Sequence, residues 1–456
     1  MNHPLLLAGS LLIPLLVPGY ASATTLSVGP GKDYTTPSAA AAAARDGDTI
    51  ELAAGTYRDV AIWKANNLTI RGVGGARAHL DAAGLSISNG KAIWVIQGSN
   101  TTVENIEFSG ASVPDKNGAG IRQEGAGLTV RNCFFHDNEN GVLAGDSANS
   151  DILIESSEFA HNGAGDGLSH NMYINHVRSF TLRFSYSHAA RSGHLVKSRA
   201  YSTSILYNRL TDEDGNPSYE IELPNGGDAL VLGNQIQQGT AAENSTLLSF
   251  AAEGASNPVQ KLYVVNNTFV NDRTAGATFV RVSGSPSGLV ANNLFVGKGT
   301  PISGTVSERS NLATSAPGLV DPAGFDYHLT AGSPAVNAGL ALGSDGADFL
   351  APMFQYVHPL GSEPRRTMGS GLDVGAFEYG NLPGPVDDGG TPDAGIGVDA
   401  GPGTGDAGMP DGGPGDGDGD GEMSDKGCGC NTSGSALGAL ALIALQAVMG
   451  ARRRSR

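Results

Sequence analysis

Between about residues 26 and 310 the chain is a succession of short runs in which aliphatic and polar residues alternate, as in Leu128-Thr129-Val130-Arg131-Asn132, Ile152-Leu153-Ile154-Glu155-Ser156 and Leu262-Tyr263-Val264-Val265-Asn266. A period of two marks strands with one buried face. The last positions of these runs are Gly72, Asn105, Asn132, Ser156, Phe184, Asn208, Asn234, Asn266 and Asn292, spaced 24 to 33 residues apart. A short strand closing on Asn at that period predicts coils of three strands whose turns need left-handed backbone, with the asparagines stacked into a ladder. Leucine-rich repeats and propellers would show a stricter period and their own Leu or Trp signatures, which this chain lacks.

The ends of this array are also marked. Ser38 to Arg45 is an alanine-rich, helix-forming run, followed by Asp46-Gly47-Asp48-Thr49-Ile50-Glu51-Leu52 and Gly55-Thr56-Tyr57. An open solenoid needs such a cap. The segment resembles the N-terminal cap and first coil of right-handed parallel β-helix proteins of the pectate-lyase type, which implies an all-β right-handed parallel β-helix over residues 24–310. From Phe325 onward the pattern changes, with Ser333-Pro334-Ala335-Val336-Asn337 and Asp373-Val374-Gly375-Ala376-Phe377-Glu378. These motifs resemble the choice-of-anchor Q region of surface β-helices, implying a β-rich C-terminal cap over 311–382. Asp373 and Glu378 are expected to organise a turn there.

Composition adds the compartment. Residues 383–427 are nearly all Gly, Asp, Pro and small residues, too polar to form a core, and are expected to be a disordered linker. Leu5 to Val17 followed by Ala21-Ser22-Ala23 has the form of a signal peptide, with cleavage expected before Thr24. The order Gly427-Cys428-Gly429-Cys430, an apolar stretch from Ala436 to Met449 and then Arg452 to Arg454 resembles the MYXO-CTERM sorting tail. That resemblance implies processing of 428–456 by a membrane sorting protease, attachment at the cell surface, and Cys428 or Cys430 as the lipidated residue. Three cysteines rule out a disulfide framework, and the net charge of −17 argues against nucleic acid as a partner. The protein is expected to be a monomer.

Polar residues interrupt the coil pattern between 166 and 223. Setting neighbouring coils in register stacks Met172, Val196 and Ile221 inside and turns Tyr173, Lys197 and Glu222 outward on consecutive coils. By the same arithmetic Asn175 and Arg199 flank the row, His170 and His194 lie at the preceding corner, and Glu220 precedes Glu222. An aromatic hydroxyl, cations, carboxylates and imidazoles on one face suit uronate β-elimination or C5 epimerisation. A cation must neutralise the C6 carboxylate, a base among Lys197, His170 and His194 must take the C5 proton, and Tyr173 can protonate the leaving oxygen. Arg199, Asn175, Glu222 and Glu220 are then expected to contact substrate, with calcium as a candidate cofactor through Glu222. Val196-Lys197-Ser198 resembles the lysine-bearing strand of β-helical alginate and chondroitin lyases, which implies Lys197 as base. It departs from that pattern in having Ser192 and Gly193 before the lysine where the family has a calcium-binding acidic pair.

Other polar residues have plainer readings. The same row could be a cross-strand ladder with a salt bridge. His136, His161 and His188 read as turn residues, Asp212, Glu213 and Asp214 as a solvated turn, and Trp63, Trp94 and Cys133 as core. No P-loop, dinucleotide fingerprint, nucleophile elbow or zinc-spaced Cys/His set occurs in the sequence. Two functions therefore stand: a lyase or epimerase acting on acidic polysaccharide, or a non-catalytic surface module that binds glycans or other cells.

Overall fold

Alternating strands too short to stand alone are stable only when each turn of the chain pairs with the turn before it and after it. The computed structural model, which describes residues 23–381, realises this as a parallel β-helix. Each coil contributes two strands to a bent, 21-stranded sheet and one to a ten-stranded sheet. The first limb of the bent sheet runs through Leu128–Arg131, Ser147–Glu155, Val177–Arg183 and Ser202–Leu206, and the second through Phe134–His136, Glu158–Ala160, Tyr186–His188 and Arg209–Thr211. The ten-stranded face includes Met172–Ile174, Val196–Ser198 and Ile221–Leu223. Pairing continues to Leu312–Thr314, slightly past the expected boundary at 310.

Inward positions fill the helix with stacked side chains. Phe108, Phe135 and Phe159 lie ring on ring with centroids 4.9 and 4.8 Å apart, and Trp63 and Trp94 close the N-terminal part of this core. Cys133 is fully buried, and desolvation pushes its thiol up to about 12. The cap helix spans Pro37–Ala43, shorter than the alanine run, with the Thr36 hydroxyl accepting from the Ala39 amide and Pro37 at its first turn.

The corner between the two limbs corrects the expected ladder. Left-handed backbone is carried by Asn105, Asn132, Ser156, Phe184, Tyr207, Gly233, Asn266 and Asn292, and not by Asn208 or Asn234. Those two asparagines sit one residue later and point inward. Asn208, Asn234, Asn267, Asn293 and Asn311 form the ladder, each donating its backbone N–H and side-chain amide to the Oδ1 of the next at 2.9–3.0 Å. A one-residue shift exchanges inside for outside, which is why Asn at either position looks alike in sequence.

Residues 316–381 do more than close the last coil. Antiparallel pairs at Leu319–Asp321 with Asp326–Leu329 and at Phe354–Val357 with Gly361–Pro364 belong to a strap that runs back along the bent sheet. Ala376 N–H donates to Thr268 Oγ1 (2.9 Å), Lys261 pairs with Asp348 (2.6 Å), and Phe354 packs edge-on against Tyr207 and Phe184. Asp373 and Glu378 organise this segment as expected. Asp373 accepts from the Asn337 and Tyr379 amides, while Glu378 pairs with Arg365, both fully buried. The proposed signal peptide, linker and sorting tail lie outside the described residues, apart from Ala23. No helix among the described residues is long and apolar enough to cross a membrane.

Candidate functional site

Parallel pairing puts Tyr173, Lys197 and Glu222 side by side on the outer surface of the ten-stranded face, as the register arithmetic expects, and continues the row to Leu143 on one side and Ser249 on the other. Adjacent coils are about 4.8 Å apart, so these side chains touch. Glu222 Oε2 forms ion pairs with Lys197 Nζ at 2.8 Å and with His194 Nε2 at 2.9 Å. Burial opposes its ionisation, yet the contacts with His194 and Lys197 prevail and hold the carboxyl at about 2. Its side chain is only 6% exposed, because the corner residues before each strand crowd the row.

Arg199 extends the row. Its Nε donates to the Tyr173 hydroxyl at 3.0 Å and one terminal nitrogen to Asn225 Oδ1 at 2.5 Å. The other donates to Glu253 Oε2 at 2.7 Å. Glu253 Oε1 lies 3.5 Å from Lys197 Nζ, so one carboxylate bridges both cations, and it does so from a turn where its side chain is 46% exposed. The Lys197 ammonium and the Arg199 guanidinium both stand over the Tyr173 ring, 5.8 and 5.9 Å from its centroid.

His170 and His194 stack at 4.4 Å, with His170 edge-on to Tyr173. The His194 backbone N–H donates to His170 Nδ1 at 3.0 Å, so a neutral His170 carries its proton on Nε2. Burial, with His194, Lys197 and Arg199 nearby, holds this imidazole well below its ordinary range. His170 is thus a neutral hydrogen-bond donor whose one lone pair is already engaged.

Of two further expected substrate contacts, Asn175 follows its strand beside Arg199, and Glu220 is placed inside the coil. Asn175 turns its Oδ1 to the His176 amide at 3.0 Å. Glu220 is fully buried inside the coil beside Asp212, and desolvation with that second carboxyl pushes it well above the usual carboxylate range. Asp212 itself is wholly buried and raised to about 7, chiefly by desolvation, so the expected solvated turn is corrected: only Asp214 of the three acids is exposed. Glu213 is held at about 2, its desolvation outweighed by contacts with His188 and Tyr186. His136 and His188 likewise lie on strands of the second limb and not in turns.

Glu253 and Asn225 were not expected at the site. Each sits beyond the end of a strand, where alternation no longer gives direction. Calcium does not fit this row: it takes six to eight oxygen ligands, whereas both carboxylates here are already occupied by ammonium, imidazole or guanidinium groups. Two concavities of about 240 and 250 Å3 lie elsewhere, one beside Thr24, Arg45 and Asp48 and one beside Asn100, Gly127 and Arg178. Within the row the Lys197 and Arg199 side chains are 13% and 15% exposed.

This architecture is a right-handed parallel β-helix: the family model described as the right handed beta helix region matches residues 56–236. Among solved structures, the chain is similar to the pectate lyase Pel9A, at 15% identity and a TM-score of 0.54, over 79% of this chain and 98% of that one. It also resembles an alginate lyase from Paenibacillus sp. str. FPU-7, at 16% identity and a TM-score of 0.45, over 63% of this chain and 99% of that one. At these identities the likeness is one of fold. No curated protein sequence matches the chain.

Proposed function

We propose that the Tyr173–Lys197–Arg199 row binds a carboxylate of an acidic, uronate-containing polysaccharide and supports β-elimination or C5 epimerisation on it. The observation that carries this reading is Glu253, whose single carboxylate spans Lys197 and Arg199. A C6 carboxylate entering along the row would take its place, leaving the Glu253 turn to move into solvent. With its charge neutralised by the Arg199 guanidinium, the sugar's C5–H becomes acidic. His170 has its lone pair engaged and His194 Nε2 faces Glu222, which leaves Lys197 as the base, acting as the free amine once it has released its own proton to solvent. In elimination the C5 proton passes to Lys197 Nζ, the C4–O4 bond breaks as the C4–C5 double bond forms, and the Tyr173 hydroxyl protonates O4. Solvent then carries the proton from Lys197 back to the phenolate. The fold's occurrence in a pectate lyase is in keeping with this assignment.

Lys197→Met and Tyr173→Phe are each expected to lower turnover by roughly 10²–10⁴-fold, with the melting temperature lowered in Lys197→Met, which strips the buried Glu222 of one partner, and little changed in Tyr173→Phe. The readout is the ultraviolet absorbance of unsaturated uronate products, with exchange of the C5 proton for solvent deuterium as the epimerase counterpart. Glu253→Ala should tighten binding of an acidic oligosaccharide about tenfold, the worth of one freed charge-assisted bond, and leave neutral oligosaccharides unaffected. Turnover that survives in both Lys197→Met and Tyr173→Phe would place the chemistry elsewhere. A second reading, a binding module without turnover, draws on the full internal pairing of the cations. Tightened binding in Glu253→Ala with no product from any uronate polymer would establish it.

We further propose that the chain is exported and held at the cell surface by its processed C-terminal tail. Mass spectrometry of the mature protein should find neither residues 1–23 nor the Arg452–Arg456 terminus.

A further inference from the structure

On the outer surface of the second limb, far along the chain from the row above, His79, Glu107 and His136 stand on three consecutive coils. His79 pairs in register with Glu107, and on the next coil His136 pairs with Ser109, two residues along the strand from Glu107. His136 Nε2 is 3.1 Å and His79 Nε2 3.5 Å from the same Glu107 oxygen, and all three donor atoms lie within 4.8 Å of one another. Tetrahedral ligands with bonds of 2.0–2.1 Å are separated by about 3.3 Å, so both edges are close to what a zinc-type centre requires.

The surroundings favour ligation. His136 Nδ1 faces Asp137 Oδ2 at 2.9 Å, and Asp137 is in turn held by Arg191. A carboxylate on the far nitrogen fixes the ring's orientation and leaves Nε2 as the free donor, the usual outer-shell arrangement of a metal-binding histidine. The three side chains are 21–27% exposed, which keeps a fourth position open to solvent. The Ser109 hydroxyl, 2.7 Å from His79 Nε2, makes the contact a cation would replace.

We propose that His79, Glu107 and His136 bind a borderline divalent cation of the Zn2+ class, with Asp137 as a positioning residue. Two imidazoles and one carboxylate suit Zn2+ and not Ca2+, which prefers oxygen alone. Such an ion ties three coils together where the strap, whose aromatic contacts begin at Phe184, does not reach. The sequence conceals this site because each ligand is a whole coil from the next.

The test is titration of the metal-stripped full chain with Co2+, followed by visible absorption, and with Zn2+, followed by calorimetry and by melting temperature. The expected result is one imidazole- and carboxylate-ligated ion per chain, no competition from Ca2+, and a melting temperature that climbs with Zn2+ concentration. His79→Ala/His136→Ala should abolish the signal, the isosteric Glu107→Gln should weaken it even if the double variant folds poorly, and Asp137→Asn should cost 10–100-fold in affinity. Two results overturn the proposal: undiminished binding by a folded double variant, or cobalt spectra showing only the thiolate charge-transfer band that Cys428 and Cys430 would give.

Discussion

At the corner of the coil, two neighbouring residues are chosen for opposite reasons. Asn132 and its counterparts satisfy a left-handed backbone, which costs an ordinary residue about 1–2 kcal/mol. Asn234 and its counterparts satisfy the interior: its Oδ1 accepts from Asn208 twice, and its Nδ2 donates to Ile205 O and Asn267 Oδ1. Removing that amide strands several buried groups at once. Asn234→Ala should therefore cost roughly 3 kcal/mol in denaturant unfolding, against about 1 for Asn132→Ala. The Asp212–Glu220 pair predicts a pH dependence of unusual sign. Desolvation raises Asp212 from 3.8 to about 7, so the folded state keeps a proton that the unfolded state has released. Stability is fully present below about pH 4 for this group and falls by about 1.4 kcal/mol per pH unit as pH climbs from there to 7. Glu222 and Glu213, held at about 2, act the other way and withdraw stability as pH drops from about 4.5 toward 2. Thermal melts across pH 2–8 should show a maximum near the junction of these windows, and Asp212→Asn should flatten the alkaline side.

At the scale of elements, the strands were legible and the strap was not. Alternation and period fixed which face Tyr173, Lys197 and Glu222 would share, because parallel pairing keeps consecutive coils in step. The slip at Asn208 and Asn234 arose where Tyr207 and Gly233 hold the left-handed corner. Tyr207 is an improbable residue for that backbone, and its ring contributes by packing against Phe354 of the strap. Glu253 was hidden on a turn, and Glu220 and Asp212 were hidden because charge in a loop usually means solvent. The strap has no repeat to betray its path; what holds it is a buried Arg365–Glu378 pair. Breaking such a pair from one side costs about 3–5 kcal/mol. In Glu378→Gln, hydrogen exchange should therefore rise across residues 316–381 while the coils before Phe184 keep their protection.

For the whole molecule, a solenoid is close to a one-dimensional array in which each coil is stabilised by its neighbours. The strap changes that connectivity. By touching Phe184, Tyr207, Lys261, Thr268 and Asn292 it joins coils far apart in sequence, whereas the earlier coils rely on stacking alone. The consequence is mechanical. A chain pulled from its two ends should behave as a soft spring in series with a locked one: the coils ahead of Phe184 give way in small, separate extensions, and everything from Phe184 to the end of the strap yields together in one large event. Optical-trap records of the wild type should show that asymmetry, and Glu378→Gln should dissolve the large event into small ones. Under the proposed C-terminal anchoring, load would enter through the strap, placing the locked segment nearest the anchor and the yielding coils at the free end.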